Sequence, residues 1–118
     1  MNNQLNILQE EAIGLLQKLI ATPSFSREED RTSAILENFF LKRNIPVKKN
    51  LYNVWAVNKF FDPSKPTLLL NSHHDTVKPN SQYSRDPFSP VIEDGKLYGL
   101  GSNDAGGCLV SLIAAFIY

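Results

Sequence analysis

The run Leu68-Leu69-Leu70-Asn71-Ser72-His73-His74-Asp75-Thr76-Val77 passes abruptly from apolar to ionisable side chains. Its first part reads as a buried strand, and its end delivers side chains that bind protons and metals. In extended backbone, side chains at i and i+2 share a face, so His73 and Asp75 are expected to point one way and His74 the other. That arrangement suits an imidazole on a metal with a carboxylate fixing the ring. A neutral imidazole nitrogen is a zinc ligand, and a carboxylate on its second nitrogen orients it and raises its basicity. Taken alone the triplet is weak evidence, because many strands end in polar residues.

A second cluster lies downstream, in Asp94-Gly95-Lys96-Leu97-Tyr98-Gly99-Leu100-Gly101-Ser102-Asn103-Asp104-Ala105-Gly106-Gly107. Asp94-Gly95 between Val91-Ile92 and Leu97-Tyr98 signals a hairpin. The following glycines let the backbone turn sharply and put Asp104 at the mouth of a helix starting near Gly106. A short carboxylate so placed is suited to join two divalent ions. Two phosphate readings fail. A dinucleotide fingerprint would need glycine where Asp104 stands, and a P-loop would need Gly-Lys-Ser/Thr where the chain has Gly106-Gly107-Cys108. An ordinary glycine-rich strand-to-helix turn capped by Asp104 stays open as the plain structural alternative.

Taken together, Ser72-His73-His74-Asp75-Thr76-Val77, Arg85-Asp86-Pro87-Phe88 and Gly95-Lys96-Leu97-Tyr98-Gly99-Leu100-Gly101-Ser102-Asn103-Asp104 resemble the signature of a family of co-catalytic zinc deacylases and peptidases. That family includes acetylornithine deacetylase, succinyl-diaminopimelate desuccinylase, the aminoacylases and carboxypeptidase G. The likeness extends to Ala21-Thr22-Pro23-Ser24-Phe25-Ser26 near the start. By position, the resemblance implies that His73 is a terminal ligand on one ion and that Asp75 is the catalytic-site carboxylate holding its ring. It makes Asp104 the carboxylate bridging two divalent ions, zinc in the first place, with cobalt or manganese as alternatives. The bond after Asp104 is expected to be cis. The implied reaction is hydrolysis of the amide of a small N-acyl amino acid, within amino-acid biosynthesis. The Leu100-Gly101-Ser102-Asn103-Asp104 form is most similar to acetylornithine-deacetylase-like members, which would place it in arginine synthesis; a peptidase or dipeptidase of the same family is the alternative. Ser72 replaces a common Gly, Leu100 a common Arg, and Ala105-Gly106 a Met-Lys or Asp-Lys pair. None of these removes a ligand, but all bear on the substrate side of the pocket.

Length qualifies this reading. The 118 residues suffice for one small domain, whereas family members are considerably longer and carry a separate lid or dimerisation domain. Residues 1–118 are thus expected to form the N-terminal part of the catalytic domain, and the full-length relative to be a homodimer. The resemblance implies a Glu-Glu pair, as general base and ligand, some tens of residues beyond Asp104, then a later acidic ligand and a distant histidine; none of these positions falls within the 118 residues. Zinc sites use about three protein ligands plus water, so His73 and Asp104 alone cannot complete two of them. The chain by itself is expected to be a catalytically incompetent fragment of marginal stability.

The rest of the chain reads as α/β. Leu5, Leu8, Ala12, Leu15, Leu16 and Leu19 form an apolar stripe at helical spacing over residues 4–20, which Thr22-Pro23 stops. Ser26-Arg27-Glu28-Glu29 reads as a capping box for a second helix that carries Ile35, Leu36, Phe39 and Phe40 inward. Asn44-Ile45-Pro46 ends it. Strands are expected over residues 47–50, 53–58 and 67–72, with Asp62-Pro63-Ser64-Lys65-Pro66 as a turn, and Trp55 in the core. The whole fits a zinc-peptidase-like, partial catalytic domain with a mixed sheet flanked by helices.

Composition bounds the partners. Lys plus Arg and Asp plus Glu are 12 each, which gives no electrostatic case for nucleic acid or a charged membrane surface. Met1-Asn2-Asn3-Gln4 lacks the blocks of a secretory signal. Residues 108–118 are apolar nearly all round, yet far shorter than the ~20 of a membrane span, and call for cover on several sides. A single cysteine agrees with a cytoplasmic setting. Cys108 is expected to pack as a small hydrophobe rather than to act as a nucleophile.

Overall fold

A computed structural model describes residues 3–118; Met1 and Asn2, part of the stretch read for a leader, lie outside the described residues. The element order is α1 (Asn3–Ile20), α2 (Asp30–Leu41), β1 (Lys48–Asn50), β2 (Asn53–Trp55), β3 (Val91–Glu93), β4 (Lys96–Tyr98) and α3 (Cys108–Ile117). The apolar stripe of α1 buries Leu8, Leu15, Leu16, Leu19 and Ile20. Leu5, one turn before Leu8, stays 43% exposed. Leu36 and Phe40 of α2 and Val110 and Ile113 of α3 close on this stripe, with Ile35, Phe39 and Phe116 packed around them. Phe40 meets Phe39 and Phe116 edge-on at 6.2 and 6.0 Å, a geometry the ring quadrupoles favour.

The α/β class holds, with a difference in how the strands associate. They form two antiparallel hairpins, β1–β2 and β3–β4, rather than one continuous mixed sheet. The parallel element is a single bridge between Phe25 and Thr76. Asp94 and Gly95 make the turn of β3–β4 at φ values of 51° and 73°, which match the right-handed twist of the paired strands. Residues 67–72 join no ladder, and Leu68 and Leu69 are each 82% exposed. The expected central strand is therefore not formed: apolar content favours a strand, but a ladder needs a partner strand beside it, and residues 67–72 pair with none among the described residues.

Three further expectations are corrected. Ser26 does not cap α2, which opens from Glu29 without a side-chain cap. The left-handed backbone of Arg27 (φ 76°) turns the chain, and the Ser26 hydroxyl is spent elsewhere. Trp55 is 45% exposed, because the β1–β2 hairpin shows that face to an open groove instead of the core. Cys108 is exposed at the start of α3, whose buried face is carried by Val110 and Ile113. The opposite apolar face of α3, with Leu112, Ala115 and Phe116, lines a groove of about 690 Å³ together with Trp55, Phe60 and Leu68. No helix of the described residues is long and apolar enough to cross a membrane.

Candidate metal centre

Segment 73–76 is fixed from beneath by the loop between α1 and α2. The Thr76 amide donates to the Ser24 carbonyl at 2.8 Å, and the Ser24 hydroxyl donates to the His74 carbonyl at 2.8 Å. Ser24 is only 3% exposed, so these bonds are sheltered from water. Alternation along the segment then separates the two imidazoles. His73 turns to a cleft, whereas His74 places Nδ1 2.8 Å from the Thr32 hydroxyl and Nε2 3.1 Å from the Tyr52 carbonyl. His74 thus ties α2 to the β1–β2 turn.

Asp104 comes from the far side of the cleft. Gly99 and Gly101 take φ values of 149° and 78°, and the chain passes close to α1: a Cβ on Gly99 would stand 2.3 Å from Cγ2 of Ile20. Segment Ser102–Gly107 is a wide, irregular turn broken at Asp104 and Ala105, joined by a cis peptide bond, before α3 begins. The Leu100 amide donates to the Pro87 carbonyl at 2.7 Å, which brings the Arg85-Asp86-Pro87-Phe88 loop in as the cleft wall. On that wall Arg85 stacks over the Tyr98 ring at 3.9 Å and pairs with Glu93 at 2.5 Å.

The structure brings the three sequence-derived residues together in this cleft of about 600 Å³. Nε2 of His73 lies 3.1 Å from Oδ1 of Asp104, and Nδ1 lies 3.1 Å from Oδ1 and 3.2 Å from the carbonyl of Asp75. The second oxygen of Asp75 accepts a short hydrogen bond from the Ser26 hydroxyl. Partial burial is the largest single influence on His73 and works against its charged form. The Asp75 carbonyl and the two carboxylates together outweigh it and raise its pKa above the ordinary value. The Ser26 hydroxyl, aided by His73, holds the Asp75 carboxyl below the usual range despite some burial.

This donor set fits one side of a divalent-ion site. It offers an imidazole nitrogen whose ring is held by a carboxylate, and a carboxylate 86% exposed to the cleft. Among the described residues no group of three or more His, Cys, Asp or Glu is placed to hold an ion unaided. Two contributors were missed from sequence. Ser26 was read as a helix cap, although it belongs to the Thr22-Pro23-Ser24-Phe25-Ser26 stretch that carries part of the resemblance. Thr32 gave no signal at all, since its partner His74 lies 42 residues away.

Comparison with known proteins shows the family. Residues 69–118 match the sequence profile of Peptidase family M20/M25/M40. The chain is similar to the succinyl-diaminopimelate desuccinylase of Blochmanniella pennsylvanica (strain BPEN), at 34% identity over 110 residues, covering 87% of this chain and 29% of that protein. It is similar to the enzyme of the same name from Blochmanniella floridana, at 34% identity over 114 residues, covering 89% of this chain and again 29% of the relative. The chain thus spans under a third of the length of these curated relatives.

Proposed function

Because this chain belongs to the M20/M25/M40 peptidase family, we propose that it supplies one wall of a two-metal amidohydrolase centre acting on a small N-acyl amino acid. The observation that carries the reading is the convergence of His73 Nε2 and Asp104 Oδ1 at 3.1 Å, with the far side of the imidazole held by Asp75. His73 would be a terminal ligand and Asp104 the bridge. Zinc is the expected metal, with cobalt or manganese as substitutes. Bound there, divalent ions supply Lewis-acid activation of water and of the amide carbonyl.

The chain's own residues have definable tasks. Asp75 keeps a proton on Nδ1 of His73, which leaves the Nε2 lone pair free to face the cleft. Asp104, short and set in a turn pinned by Gly99 and Gly101, holds its carboxylate opposite that lone pair. Arg85, Asp86, Pro87 and Tyr98 form one wall of the cleft. Residues 1–118 would form the first part of the catalytic domain, with the general base and the remaining ligands contributed by chain beyond it. A homodimer is the proposed state of such a longer protein.

The relatives' names favour a succinylated diamino acid, while Leu100-Gly101-Ser102-Asn103-Asp104 favours acetylornithine. Both are N-acyl amino acids with a second charged end. The test is an assay of the purified chain with N-succinyl-diaminopimelate and with acetylornithine, with added zinc or cobalt. The 118 residues alone are expected to show no turnover, since general-base help is typically worth ~10²–10⁴-fold and the Glu-Glu pair expected beyond Asp104 is not among them. A chain extended by the coding sequence beyond Tyr118 is expected to hydrolyse one of the two and to lose that activity in His73→Ala. Retention of activity in that variant would overturn the assignment.

A further inference from the structure

We propose that Ser26 is a positioning residue for the metal-facing histidine: by donating to Oδ2 of Asp75 it reserves Oδ1 for Nδ1 of His73, and so turns Nε2 toward Asp104. The inference rests on the reading of His73 as a ligand and extends it to a residue 49 positions from Asp75. A carboxylate beside an imidazole can rotate about its terminal bond and offer either oxygen, or move to water. Ser26 removes that freedom. With Oδ2 engaged, the carboxylate plane is set, and both Oδ1 and the carbonyl of Asp75 meet the same edge of the ring at 3.1 and 3.2 Å. Two acceptors at Nδ1 against one at Nε2 favour the neutral ring protonated at Nδ1, the form that leaves Nε2 able to bind a cation.

Ser26 is exposed, so packing does not account for its position. Its backbone does. Phe25 bridges Thr76, the Thr76 amide donates to Ser24, and the Glu28 amide closes a turn onto the Phe25 carbonyl at 2.8 Å. Phe25 also packs on Phe88 of the cleft wall, with ring centroids 6.2 Å apart. The loop between α1 and α2 is therefore zipped along the segment bearing His73 and Asp75. Ser26 is where that zipper reaches the ionisable groups.

The test uses the full chain as wild type, Ser26→Ala, Ser26→Thr, Ser26→Cys and His73→Ala. The first readout needs no metal: ring ¹⁵N shifts of His73 at a pH where the ring is neutral. Ser26→Ala is expected to move these from the Nδ1–H pattern toward a mixture, Ser26→Thr to restore them, and Ser26→Cys, a weaker donor of similar size, to fall between. Signals of His74, which is held by Thr32 and Tyr52, report whether the fold is intact. If Ser26→Ala loses them, the Thr and Cys variants decide by the same order. The second readout is cobalt(II) affinity, measured on the same variants in the chain extended beyond Tyr118 that is proposed to supply the remaining ligands. A loss of about tenfold is expected in Ser26→Ala, in the range for carboxylate partners of metal-binding histidines, with recovery in Ser26→Thr. Wild-type ¹⁵N shifts in a folded Ser26→Ala or Ser26→Cys chain would overturn the proposal. Unchanged cobalt binding in His73→Ala would instead overturn the ligand reading, while the shift results would still decide the role of Ser26.

Discussion

Adjacent in sequence, His73 and His74 serve opposite sides of the molecule. His73 stands between two carboxylates in the cleft, whereas His74 joins the Thr32 hydroxyl to the Tyr52 carbonyl. One is placed for chemistry and the other for architecture. Their removal is therefore expected to have different consequences. His74→Ala leaves the fully buried Thr32 without one partner and frees the β1–β2 turn from α2, and is expected to cost about 1–3 kcal/mol of stability. His73→Ala, with its side chain half exposed, is expected to stay within about 0.5 kcal/mol in metal-free protein. Urea unfolding of the two variants beside wild type measures both.

Acid-base behaviour of the cleft follows from the directions of its shifts. His73 has its pKa raised in the folded chain, so its stabilising contribution is complete below the ordinary imidazole value of about 6.5 and is lost as pH climbs through the raised one. Asp75 has its pKa lowered, so its contribution is present above the ordinary carboxylate value and is lost as pH falls through the lowered one. An NMR titration of metal-free protein is expected to place the His73 midpoint above 6.5, and Asp104→Asn to bring it down. A His73 midpoint at or under the ordinary value would refute the arrangement.

Glycine substitutions separate backbone strain from steric conflict. Gly95→Ala meets open space and suffers only its positive φ, for an expected cost of about 1 kcal/mol. Gly99→Ala adds a collision with the Ile20 side chain to an unfavourable φ, and is expected to cost about 1–3 kcal/mol more. It should also displace the turn that carries Asp104. Thermal unfolding of the pair gives the ranking; equal losses would mean that α1 yields freely.

The open apolar groove predicts dye binding and self-association. Leu68 and Leu69 are the most exposed of its apolar side chains, so Leu69→Ser is expected to reduce ANS fluorescence and light scattering with little loss of unfolding free energy. Unchanged scattering would place the sticky surface elsewhere.

Local signals in this sequence were faithful where the physics is local. The stripe of α1, the Asp94-Gly95 turn and the alternation that parts His73 from His74 each follow from a few neighbouring residues. The convergence with Asp104 was legible only through the paired motifs, since nothing in residues 73–75 points to a partner 31 positions on. What escaped was decided by distant partners. Ser26 satisfies the pattern of a capping box, yet a carboxylate brought beside it by the Phe25–Thr76 bridge takes its hydroxyl instead. Residues 67–72 have the composition of a central strand, but whether such a segment is covered depends on what lies next to it.

The exposed leucine run also bears on how such a chain avoids pairing with itself. A bare apolar strand is a template on which other copies can add, edge to edge. Here the run is punctuated at both ends: Pro63, Lys65 and Pro66 precede it, two of them lacking a backbone donor, and His73-His74-Asp75 follows. Such gatekeepers interrupt growth of a cross-strand ladder from either side. His73 and Asp75, which face the cleft, thus have a second task, keeping the leucines before them from pairing with those of another copy.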